Sequence, residues 1–254
     1  MKYYYSNRLL LVLLTLLTCI SCQENSKNQT LITWSNVPVD STIQSDQKIE
    51  EVIFPYRQAL DSIMGEVIGY AAHDLTTIGE YESNLGTFVT RLSLEQCESI
   101  FEMEIDVAVM NHHGGLRSPI NKGAITLGEI FQVMPFENEM VLLEVPGPIL
   151  LEVVDKINGS GSSMLWPVTF TATESGPKDI ELNGDPILSK EVYLMAISDY
   201  LANGGGGFSM LRSLKRIDVP AVKLRDIIVK EIRETTSRGE SVDQRVSNHV
   251  IVIE

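Results

Sequence analysis

Apolar and polar positions along this chain fall into blocks of different period. From Gln47 onward, Ile49, Ile53, Tyr56, Leu60 and Ile63 recur at spacings of three and four, the signature of one apolar helix face. Pro55 lies inside that pattern and predicts a kink or a late helix start. Gly65–Gly69 then breaks the helix and leads into a strand edge. A second helix is expected from about Asn84 into the 90s, continued by the amphipathic stretch Leu94–Met103. Ile105–Met110 and Met140–Val145 read as strands, and Leu127–Val133 as a helix stopped by Pro135. Ile149–Val154 begins another helix after Gly147-Pro148, and Asp155–Gly184, rich in Gly, Ser and Thr, predicts hairpins around runs such as Val168–Thr173. Val192–Ile197 predicts a buried strand. Ala221–Thr236 predicts a closing helix with Val222, Ile227, Ile228 and Ile232 on one face. Helices and strands mix without a regular βαβ alternation, so the expected fold class is α+β.

The first residues add a compartment. Lys2 and Arg8 precede the apolar run Leu9–Leu17, about half the length of a bilayer crossing, which reads as a signal-peptide core. Ser21-Cys22 fits the small-residue-then-cysteine step of a bacterial lipoprotein signal better than Thr18-Cys19 does. The expectation is a leader over residues 1–21 and a lipid anchor on Cys22. A tether follows over 22–46, with a short strand around Leu31–Trp34, and one domain over 47–254. An ordinary cleaved leader with two incidental cysteines is the alternative. Cys97 is then left without a disulfide partner and reads as a small buried side chain.

Charge narrows the partners. The formal net charge is −14, and removing the leader takes away Lys2 and Arg8 and no acid, giving −16. Nucleic acid is not an expected partner, because phosphate-backbone binding needs clustered Lys and Arg. A small anionic ligand needs only a local group of donors.

Three loops carry candidate chemistry. Asn111-His112-His113-Gly114-Gly115-Leu116-Arg117 joins paired glycines, which let backbone N–H groups approach a ligand, to a forked permanent cation. Its histidines do not read as a metal site, since neighbours on an extended segment face opposite ways and His73 and His249 lack ligand spacing. Pro135-Phe136-Glu137-Asn138 can present a ring at a loop rim, although residue type alone favours a core phenylalanine. Asp199–Phe208 contains four consecutive glycines, Gly204–Gly207, with no Gly-Lys-Ser/Thr phosphate-loop pattern, and Tyr200 just before them.

Taken in order, these segments resemble the C-terminal domain of the 5′-nucleotidase family. The resemblance runs from about Ile49 to the end through Glu82-Ser83-Asn84-Leu85-Gly86, Gly114-Gly115-Leu116-Arg117, Gly123-Ala124-Ile125-Thr126, Pro135-Phe136-Glu137-Asn138 and Tyr200-Leu201-Ala202-Asn203-Gly204-Gly205. It implies a nucleoside-binding surface in which Phe136 and Tyr200 sandwich the base and Arg117 makes polar contacts. Asn111, His112, Gly114, Gly115, Asn138, Asn203 and Gly205 complete the expected site. Two departures stand out. His112 occupies the place of the family's asparagine, with Asn111 displaced by one, and Gly206 replaces the aspartate that contacts ribose hydroxyls. The metallophosphoesterase motifs of full-length relatives (Asp-x-His, Gly-Asp-x-x-Asp, Gly-Asn-His, Gly-His-x-His) do not occur in this sequence. No metal or other cofactor is expected on the chain. The resemblance implies a recognition subunit working with a separately encoded metallophosphoesterase that holds divalent metals. The rival readings are a stand-alone nucleoside-binding lipoprotein and a degenerate protein-contact domain.

Overall fold

The computed structural model of the protein describes residues 34–246 and 248–253. The leader, Cys22 and residues 31–33 of the expected Leu31–Trp34 strand lie outside these. The chain divides into two units, Met1–Glu50 and Glu51–Glu254. In the first, residues 34–46 carry no helix or strand, and a turn is closed where Asp40 accepts from the N–H (2.9 Å) and hydroxyl (2.6 Å) of Thr42. Asp46 Oδ1 accepts from the N–H groups of Lys48 (2.9 Å) and Ile49 (3.2 Å), an N-cap that sets the start of α1 (Gln47–Met64). The helix begins at Gln47 and runs on through Pro55, so the late start does not occur, and none of its residues is buried.

The second unit is built on a five-stranded sheet of β2 (Val107–Met110), β4 (Met140–Pro146), β5 (Met164–Trp166), β9 (Val192–Ser198) and β10 (Arg216–Ile217), in spatial order β10-β4-β9-β2-β5. Its central strands alternate between two cores. Ala108, Met110, Met140, Leu142 and Ala196 face one cluster; Val107, Val109, Leu143, Val145, Met195 and Ile197 face the other. Both faces are covered, which explains why β2 reads as an unbroken apolar run. Helices α2 (Asn84–Phe101) and α5 (Leu224–Ser237) pack on the first face, and α4 (Gly147–Ser160) on the second. Ser83 caps α2 by accepting from the N–H of Gly86 at 3.0 Å. Thr126 and Glu129 form a capping box at the start of α3 (Leu127–Val133).

Two smaller sheets complete the unit. The strands β1 (Val67–Ala71) and β3 (Gly123–Thr126) pair antiparallel. A four-stranded sheet runs β11 (Val250–Val252), β6 (Val168–Ala172), β7 (Lys178–Leu182), β8 (Asp185–Pro186). The architecture is α+β, as expected. One boundary is corrected: Asp155–Ser160, expected within a β-rich stretch, belongs to α4. Ile157 there is buried, and the helix stops only at Gly161, whose φ of 58° is the left-handed conformation of a helix end.

Candidate functional site

Strand pairing decides where the three loops meet. Because β2 and β9 are parallel neighbours (Val109 opposite Ile197), the segments that follow them leave the sheet at the same end. Antiparallel β4 starts at that end, with Met140 opposite Ser198, so the Met134–Asn138 loop leading into it arrives there too. The outcome is a cleft of about 830 Å³ lined by Asn111, Gly114, Arg117, Phe136, Asn138 and Tyr200, among others. Crevices beyond the strand ends of such sheets are common ligand sites.

Both predicted rings are only partly covered: Phe136 is 41% exposed and Tyr200 50%. Neither is the core residue that its type alone suggests. The Tyr200 ring lies against Gly205, where a Cβ would come within 2.5 to 2.6 Å of three ring carbons. Its hydroxyl accepts from the N–H of Gly206 at 3.2 Å. The glycine run therefore serves as a flat backing for an aromatic ring, a close approach that only a residue without Cβ permits. Asp199 accepts from the Tyr200 N–H (2.8 Å) and from the Asn138 side-chain amide (2.9 Å), tying two of the loops together. Arg117 ties in the third by donating its N–H to the carbonyl of Val133 at 2.8 Å.

Arg117 and Glu137 bring charge of both signs to the cleft lining. Arg117 is exposed, and among the described residues its guanidinium reaches only the carbonyl of Gly114, at 3.4 Å. The one carboxylate lining the cleft, Glu137, forms ion pairs with Arg225 and Lys223. Those hydrogen bonds, Arg225 first, hold its carboxyl down at about 2. A second groove, of about 610 Å³, has a different character: its charged side chains, such as Arg91 with Glu95 and Arg238 with Glu240, pair with each other.

Three expected site residues do something other than line the cleft. His112 is fully buried: its Nδ1 accepts from the Ser83 hydroxyl (3.0 Å) and its Nε2 donates to the carbonyl of Gly161 (3.3 Å). Burial first, then the neighbouring His113, push it down to about 4. It braces the start of α2 from inside the fold. Asn203 Oδ1 accepts from Arg216 at 2.7 Å and its carbonyl from Arg212 at 3.2 Å, so its two oxygens help hold the loop. Gly205 acts from behind Tyr200. The expectation that the adjacent histidines point opposite ways is corrected: the segment is a short helical turn, and the two rings lie tilted against each other with centroids 4.1 Å apart, His112 buried and His113 lining the cleft, where its Nε2 donates to the carbonyl of Gly79 at 2.8 Å. His113, Gly206 and Glu137 line the cleft without having been singled out as contacts. Arg225, which anchors Glu137, was missed as well. Its sequence signal was a charge on the buried stripe of α5, three residues before Ile228 and seven before Ile232. Among the described residues, no group of three or more His, Cys, Asp and Glu is placed to hold a metal ion.

The α+β unit brings loop-borne aromatic rings and an exposed guanidinium to one sheet end, an arrangement that narrows the domain family. The comparisons with known proteins are specific about which. Residues 67–213, more than half of the chain, match the family described as 5′-nucleotidase, C-terminal domain, and the chain belongs to that family. It is 26% identical over 196 residues to the trifunctional nucleotide phosphoesterase protein YfkN of Bacillus subtilis, covering 69% of this chain and 13% of that protein. It is 25% identical over 181 residues to protein UshA of Yersinia enterocolitica, covering 68% of this chain and 32% of that one. The fold matches the crystal structure of a 5′-nucleotidase precursor from Thermus thermophilus with a TM-score of 0.64 at 22% identity, over 83% of this chain and 44% of that one. The chain thus spans less than half the length of each of these relatives.

Proposed function

We propose that this chain is the nucleotide- or nucleoside-recognition part of a 5′-nucleotidase system. In that reading it is exported and lipid-anchored through Cys22, and the metals that drive phosphate-ester hydrolysis sit on a separately encoded metallophosphoesterase. The observation that carries the reading is the juxtaposition in one cleft of two half-exposed rings, Phe136 and Tyr200, with the exposed guanidinium of Arg117. Aromatic faces attract a base without regard to its hydrogen-bonding edge, at roughly 1–3 kcal/mol per stacked base. The guanidinium fork suits a phosphate. The names of the relatives, nucleotide phosphoesterase and 5′-nucleotidase, support the same ligand class.

Titration calorimetry tests this with adenosine, AMP and a UDP-sugar against residues Gln23–Glu254 and a Phe136→Ala/Tyr200→Ala double variant. Saturable binding that disappears in the variant is the expected result. No heat with any of the three at millimolar ligand refutes the reading.

A further inference from the structure

We infer that Arg225 is the residue that positions Phe136 for base stacking, acting from beneath the cleft without touching the ligand. The inference rests on the reading of the cleft as a base site. Phe136 is 41% exposed, so packing alone does not enclose its ring and its orientation depends on how its backbone is held. That backbone is held by one side chain. Arg225 Nη1 donates to the carbonyls of Met134 (3.2 Å) and Phe136 (3.3 Å), the residues on either side of Pro135, and Nη2 pairs with the carboxylate of Glu137. A planar fork presents its donors to two carbonyls and a carboxylate in fixed directions, whereas an ammonium is a compact point charge on a flexible stem. The guanidinium is in turn fixed against the Phe131 ring of α3, with its central carbon 4.0 Å from the ring centroid. Backbone pairing supports the same loop, since Leu224, the neighbour of Arg225, donates its N–H to the carbonyl of Asn138 at 3.0 Å.

The position is a costly place for a cation. Arg225 is 5% exposed, and its Nε is buried with no hydrogen-bond partner. A buried charge with an unsatisfied donor is a poor way to stabilise a helix–sheet contact, and an apolar side chain of similar volume often does better there. What an apolar residue cannot do is hold three polar groups of one loop in register.

Arg225→Met and Arg225→Lys, made in the full chain and titrated with AMP and with ribose 5-phosphate, separate positioning from general loosening. Thermal unfolding runs alongside. A positioned ring acts on the base alone. AMP binding is therefore expected to weaken about ten-fold in Arg225→Met, within the roughly 5- to 150-fold that stacking contributes, with Arg225→Lys in between. Ribose 5-phosphate binding stays within about two-fold of the wild type. Equal weakening of both ligands overturns the inference, as does unchanged AMP binding. If Arg225→Met does not fold, Arg225→Lys decides by the same selective loss. A wild type that binds AMP no better than ribose 5-phosphate instead refutes the base-site reading on which the inference stands.

Discussion

Gly205→Ala is the sharpest test of how the cleft is built. Gly205 does not have a positive φ, so alanine meets no backbone strain there, and the substitution adds only a methyl group. That methyl would lie 2.5 to 2.6 Å from the Tyr200 ring carbons, well inside contact distance. In a closed core the overlap would cost about 1–3 kcal/mol. Tyr200 is 50% exposed, however, so the ring swings outward instead. The fold then loses mainly the bond from the Gly206 N–H to the Tyr200 hydroxyl, a net cost of about 1 kcal/mol. Ligand binding loses more, because the displaced ring no longer presents its face: about 1–3 kcal/mol, or roughly 5- to 150-fold in AMP affinity. Calorimetry with AMP and a thermal unfolding curve give the two quantities separately. The double variant Gly205→Ala/Tyr200→Ala supplies the control. Once the ring is gone the methyl has nothing to displace, so the double variant binds like Tyr200→Ala alone. Wild-type AMP affinity in Gly205→Ala, or the same fold-loss in both backgrounds, refutes the reasoning.

Gly206→Asp puts a carboxylate at a cleft-lining position whose φ of 62° suits aspartate better than most side chains, and where the family resemblance expects an acid on the ribose hydroxyls. It is expected to tighten AMP relative to 2′,3′-dideoxy-AMP by about five-fold, the worth of roughly one added hydrogen bond, measured by paired titrations. His112 gives a pH signature. Its folded pKa of about 4 lies below the unfolded 6.5, so the unfolded chain binds more protons between those values. Stability from this group is complete above about pH 6.5 and is lost as pH falls toward 4, by at most about 3 kcal/mol. Glu137, held at about 2, stays ionised throughout that window and does not mask the effect. Urea unfolding from pH 7 to 4 is expected to show this slope in the wild type and to show it reduced in His112→Asn.

The legible parts of this protein were those written in local periods. The helix Leu127–Val133, with its stop before Pro135, and the second helix followed from local pattern, and Ile105–Met110 read as a short apolar strand. The ordered motifs pointed to Arg117, Phe136 and Tyr200, and all three line one cleft. His112 and Asn203 have partners in the fold that the sequence did not show, for a common reason. A polar side chain in a glycine-rich loop looks available to a ligand until its partners are known, and here those partners are 29 residues away at Ser83 and 13 away at Arg216. Arg225 escaped because its role is with residues 88 to 91 positions earlier.

The sequence by itself determined most element types and the loops that carry candidate chemistry, because these depend on neighbours within a few positions. Only the tertiary structure decided that three loops spread over some 90 residues share one end of a sheet. That follows from β2 lying parallel to β9 while β4 lies antiparallel to it, a pairing chosen by long-range burial of both sheet faces. It also decided which polar groups face the cleft and which are consumed in building it, since that choice is made by hydrogen-bond partners that come within reach only after the chain has folded.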